Sequence, residues 1–229
     1  MGTLYLVRHG QASLGSDNYD QLSELGKRQS IRLGEYFALT GIRFDTVLTG
    51  TLQRHSQTLS GIAHGMGLES SSETDKLLPN LRPELNEYDS HAIVQCIHPH
   101  KPEKPASKDQ IQSYFRILKE GLHQWMQGTI QPQGMPSYED FEKGIVKVLN
   151  EIRQSDHQKI LMVSSGGPIS TAIGYVLGVP HTARVALNLQ IRNSSVSEIQ
   201  FSNKNQTLHT YNTLPHLDTL AHKDWITYA

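Results

Sequence analysis

The sequence is nearly without cysteine: Cys96 is the only one in 229 residues. No intrachain disulfide can form, so stability has to come from a packed core, which a chain of this length can build. Bulk charge is missing too. A net charge of -1 gives no field to hold nucleic acid or an anionic membrane, although a few clustered basic residues can still collect a small anion. No apolar run approaches the ~18 residues of a membrane span. No Gly-x-x-x-x-Gly-Lys loop occurs, which argues against a P-loop nucleotide hydrolase. The opening "MGTLYLVRHG" lacks the basic-then-apolar order of a secretory signal, and Tyr5 and Leu6 stand where a myristoylation motif needs polar residues. The expected setting is the cytoplasm, with no membrane and no nucleic acid as partner.

What is present is ordinary in amount, with 37% hydrophobic and 19% charged residues, but ordered in pattern. Residues 3–7 and 44–48 read as buried strands. After the first, Leu25, Leu33 and Tyr36–Phe37 fall at helical spacing, with Ser23 placed to cap the start and Gly41 to close the end. After the second, Leu52, Leu59 and Ile62–Ala63 predict a helix ending near Gly65 or Gly67. Residues 70–110 read as irregular, and "HPHKPEKPASKD" is too rich in Pro and Lys for regular structure. Two amphipathic helices follow, one carrying Ile111, Tyr114–Phe115, Leu118, Leu122 and Trp125–Met126, the other Phe141, Ile145, Val148–Leu149 and Ile152, with Ser137 as cap. "ILMVSSGGPIS" then reads as a strand running into a tight turn and a helix, and "VALNLQI", "SVSEIQF" and "TLHTYNT" as shorter strands. Alternating strands and helices predict an α/β fold: a mostly parallel central sheet flanked by helices on both faces, with an antiparallel edge. The length fits one domain over residues 1–229, with a lid-like helical insertion at about 88–136.

In such sheets ligands bind beyond the carboxyl ends of the strands. Arg8 and His9 follow the first strand, Arg54 opens the helix after the second, and "SSGGP" follows the strand at 160–164. The chemical reading is an anion site. Two arginines offer planar, permanently charged forks suited to phosphate, and the glycine turn brings backbone amides at a helix start. His9 is a candidate nucleophile if its other ring nitrogen is held, and Glu87 in "LNEYD" a candidate proton donor to a leaving alcohol. Taken singly, each signal has a plainer reading: a surface Arg-His pair, a solvated helix face, a tight turn. "HPH" at 98–100 reads as loop rather than metal site, because Pro99 separates the two imidazoles.

The combination is far more specific. "LYLVRHGQA", "YDQLSELGKRQS", "TGTLQRHSQT", "LNEYD" and "MVSSGGPIS" occur in the order found in the histidine phosphatase superfamily, and the chain resembles its branch-one, phosphoglycerate-mutase-like group along essentially its whole length. The resemblance implies that His9 attacks phosphorus and becomes phosphohistidine, that Arg8 and Arg54 clamp the phosphate, and that Glu87 protonates the departing oxygen. It implies a phosphoric monoester hydrolase acting on a small phosphorylated substrate, with no metal and no cofactor. Ser165 and Gly166 are expected to complete the phosphate site.

One position departs from the pattern. The last family motif normally places a second histidine where Ser165 stands. A lesser departure is the absence of the Asn often found a few residues past the first histidine, near Gly15 or Ser16. Ser165 is compatible with a natural variant site or with a substitution made to trap a complex. Losing one preorganised donor costs a factor of about 10² to 10³, small beside the enhancement of up to ~10²¹ that phosphate monoester hydrolysis offers. Another imidazole could fill the gap, with His216 the first candidate and His91 the second. The alternative of a different class is a pseudophosphatase that binds a phosphorylated ligand without turnover; a phosphomutase is a third reading. Trp125, Met126 and Tyr114 are better explained by helix packing than by a substrate pocket, and Lys101, Lys104 and Lys108 by a solvated loop.

Overall fold

The computed structural model describes residues 1–13, 20–68, 77–98 and 108–228. The positions of Gly15, Ser16, Pro99, Lys101 and Lys104 lie outside these residues, as does the side chain of Lys108.

Two short apolar runs, buried on both faces, build the centre. In β1 (Gly2–Arg8) and β4 (Lys159–Ser164), successive side chains point to opposite sheet faces. Leu4, Leu6, Ile160 and Met162 join one core with Ile145, Leu149, Ile169 and Ile173 from helices α5 (Tyr138–Gln154) and α6 (Gly166–Leu177). Tyr5, Val7, Leu161 and Val163 join the other with Leu33, Phe37, Leu59 and Ile62 from α1 (Glu24–Leu39) and α2 (Gln53–Gly65). The sheet is thus covered by helices on both sides, as expected. Among the described residues it has six strands in the order β3-β2-β4-β1-β5-β6, with β2 at Thr46–Thr49, β3 at Pro79–Leu81, β5 at Val196–Phe201 and β6 at Gln206–Thr213. The β3-β2-β4-β1 pairings are parallel, and β5 runs antiparallel to both of its neighbours.

The caps follow the sequence. The Ser23 side chain accepts from the Gly26 N–H, and that of Ser137 from the Asp140 N–H. Gly41 and Gly67, with φ of 68° and 72°, take the left-handed turn past the ends of α1 and α2.

Two expectations need correction. The irregular reading of 70–110 missed β3, a short 3-10 turn at Pro83–Leu85, and α3 (Ser90–Ile97). α3 is one helical turn doubled, capped by the Asp89 carboxylate and held by Ile93 and Val94, which pack on α4 (Lys108–Met126). "VALNLQI" is not a strand but most of α7 (His181–Gln190). Its apolar residues alternate because the helix serves two cores: Leu187 packs on the first core, while Val185 and Leu189 pack on a third, formed with α3, α4 and Tyr138. Trp125 and Met126 lie buried in that third core, and the indole N–H donates to the Pro136 carbonyl at 3.2 Å, which is the packing role expected of them. Among the described residues no helix is long and apolar enough to cross a membrane.

Candidate active site

Parallel pairing sets the carboxyl ends of β1, β4 and β2 side by side, with β4 in the middle. Arg8 pairs with Ser164, and Thr49 with Val163. Backbone bonds continue past the strand ends: His9 N–H donates to the Ser164 carbonyl at 2.9 Å, and Gly50 N–H to the Val163 carbonyl at 3.2 Å. Ser165 therefore stands in the seam between His9 and Gly50.

His9 is buried, and its Nδ1 lies 2.7 Å from its neighbour's carbonyl, Gly10 O. A carbonyl only accepts, so Nδ1 carries the hydrogen and Nε2 keeps its lone pair. That lone pair receives the Arg54 Nε–H at 3.2 Å. Burial, then the charges of Arg8 and Arg54, hold the His9 pKa well below the usual imidazole value, with the Gly10 carbonyl opposing. The ring is neutral across the physiological range, with Nε2 unprotonated. Arg8 reaches from the strand end to the Ile191 carbonyl. Arg54 is held by an ion pair, NH1 to Asp20 Oδ1 at 2.8 Å, and Asp20 also accepts from the Gln53 N–H. Asp20 thus fastens the start of α2 and its arginine together, a partner that sequence reading had not singled out.

Glu87 lies two residues past the 3-10 turn at Pro83–Leu85. Ser164 Oγ donates to the Leu85 carbonyl at 2.7 Å, and the Asn86 side chain is bonded to Thr51, so this segment is tied to both β4 and the start of α2. The Glu87 carboxylate accepts the Gly167 N–H at 3.0 Å. A Cβ at Gly167 would sit 2.2 Å from Glu87 Oε1, so only glycine admits the carboxylate here. Burial raises the Glu87 pKa, with Arg54, the Gly167 N–H and Arg8 pulling the other way. Tyr88 beside it accepts from Asn188 Nδ2 at 2.7 Å.

The two histidines proposed to compensate for Ser165 are placed elsewhere. His216 is buried, but its Nε2 bonds Ser194 Oγ, and the Ser194 N–H donates to the His9 carbonyl, so its contacts reach the backbone of His9. Burial, with Arg32 and His222, lowers its pKa to about 3. His91 is exposed on α3, with its N–H on Asp89. The imidazole that does meet Ser165 is His55, fully buried, with Nε2 2.7 Å from Ser165 Oγ and its ring centroid 5.8 Å from that of His9. The sequence signal for it lies in "LQRHSQT", one residue past Arg54. Gly166 opens α6 directly beside this pair.

The sequence profile of the histidine phosphatase superfamily (branch 1) matches residues 4–96 and 97–214, and the chain belongs to that family. A 2,3-bisphosphoglycerate-dependent phosphoglycerate mutase of Bartonella tribocorum is 35% identical over 71 residues, which spans 28% of this chain and about a third (34%) of the mutase. The fold is shared with the Shigella flexneri alpha-ribazole phosphatase at a TM-score of 0.65 and 21% identity, over 93% of this chain and 96% of that one. It is also shared with a mutant phosphoserine phosphatase of Entamoeba histolytica in complex with phosphoserine, at 0.63 and 19%, over 95% and 100%.

Proposed function

We propose that this chain is a phosphomonoester phosphatase that works through a phosphohistidine on His9. The observation that carries the reading is the His9 ring. One nitrogen is committed to Gly10 O, and the other presents its lone pair between Arg54 and the turn after β4. A bound phosphoryl group takes the Arg54 donor, leaving Nε2 free for in-line attack. The new N–P bond forms as the P–O bond to the alcohol breaks, with Arg8 and Arg54 facing the charge on the phosphoryl oxygens. Glu87, whose burial favours the protonated form, gives its proton to the departing oxygen. Water then attacks phosphorus, Glu87 takes up its proton, and inorganic phosphate leaves with His9 restored. The third core, built around α3 and α4, borders Tyr88 and is proposed as the lid that reads the leaving group.

The pseudophosphatase reading rests on Ser165 alone, and the phosphomutase reading on the partial match to a mutase. Phosphate release by the purified protein and by His9→Ala separates turnover from binding. Under the phosphatase reading His9→Ala is inactive, and the wild type forms an acid-labile phosphoenzyme. Equal rates for the two proteins overturn it, and transfer to a second acceptor without phosphate release favours the mutase.

A further inference from the structure

The N-cap serine of α6 caps nothing. A serine in this place ordinarily accepts the backbone N–H two or three residues on. Here the first of those, Gly167 N–H, is taken by Glu87, and the second residue is Pro168, which has none. The Ser165 hydroxyl is thereby released from the helix, and it is completely buried. What it meets instead is His55 Nε2 at 2.7 Å. The seat for that ring is made to measure. Gly50 lies against the far side of the imidazole, where a Cβ would stand 2.3 Å from His55 Nδ1, and Arg54, the preceding residue, carries the donor on His9.

A hydroxyl has one hydrogen to give. If it goes to His55, Ser165 turns lone pairs toward the site and repels a phosphoryl group. If His55 Nε2–H donates to Ser165 Oγ, the hydroxyl hydrogen points to the phosphoryl oxygens, which only accept. An occupied site selects the second arrangement. We propose that His55 and Ser165 act as one unit in place of the imidazole that the family carries after β4, His55 as positioning residue and Ser165 as the donor that touches phosphate. Burial and the Arg54 charge, with the Gly50 backbone opposing, hold the His55 pKa down at about 3, so the pair works as a neutral hydrogen-bond relay and not as a second cation. This inference rests on the phosphatase reading.

The test compares kcat and KM for p-nitrophenyl phosphate in His55→Phe, His55→Gln and His55→Ala/Ser165→His, with thermal melting of each. His55→Phe keeps the ring volume without a donor and is expected to lose about 10²-fold in kcat. His55→Gln keeps an N–H and is expected to exceed it at least about tenfold, whereas a packing role alone predicts no such order. The double variant restores an imidazole from the β4 side and is expected to outrun His55→Ala by a similar factor. Equal kcat for the Phe and Gln variants, or a double variant no faster than His55→Ala, overturns the proposal. If His55→Phe fails to fold, the ratio of the double variant to His55→Ala decides alone. Failure of the phosphatase reading looks different, because His9→Ala would then match the wild type.

Discussion

The two ends of the site are built in opposite ways. Beyond β1, what fixes the His9 tautomer is local: strand, ring and the carbonyl that holds Nδ1 lie within adjacent residues. Beyond β4, the serine depends on a histidine 110 positions away in the chain, brought to it by the crossover that puts β2 next to β4. A local device can be recognised in a short motif. A device assembled across the sheet cannot, and its absence from the motif says nothing about whether the chemistry is absent.

That contrast can be broken from either side. Removing the local end has the largest effect: His9→Ala is expected to lower phosphate release by about 10⁴-fold or more and to abolish the phosphoenzyme. Glu87→Gln comes next, by about 10² to 10⁴ for alkyl phosphates and far less for p-nitrophenyl phosphate, whose leaving group needs no proton. The pH profile follows from the two shifts. Under the proposed mechanism His9 acts deprotonated, and its lowered pKa moves that limb to acid; Glu87 acts protonated, so kcat/KM is expected to fall as pH rises through its raised pKa. Glu87→Gln is expected to remove the alkaline limb. Asp20→Asn, which loosens Arg54, is expected to raise KM by about tenfold with less change in kcat.

The smallest effect is on stability. His55 and His216 have folded-state pKa values lowered to about 3 from an ordinary 6.5. Such depressed groups stabilise the fold fully above pH 6.5, and that contribution is lost as pH falls toward 3. Each withdraws at most about 1.4 kcal/mol per pH unit in this window. Melting temperature should therefore drop on acidification, and less steeply in His55→Phe.

Much of the fold was legible because β1 and β4 are short apolar runs buried on both sheet faces, and because the helical spacing in α1, α4 and α5 gathers apolar residues on one side of each helix. α7 was misread as a strand because its leucines and valine divide between two cores, which produces alternation without a sheet. α3 and β3 escaped because they are short: α3 abuts a Pro- and Lys-rich stretch, and β3 follows the polar run at 70–76 closely, so neighbouring composition dominates the window. In the site, His9, Arg54, Glu87 and Ser165 were placed by their motifs, and the structure brings them together around the strand ends. Asp20 and His55 were not found, because their relevance lies in partners distant in sequence.

The glycine at position 50 couples three places in the chain. Even an alanine there would press a methyl group to 2.3 Å from the ring of His55, and a histidine at 165 would compete with that ring for the same seam. Positions 50, 55 and 165 therefore constrain one another: the seam has room for one imidazole, entering from the α2 side or from the β4 side, and a glycine at 50 is what admits it from α2.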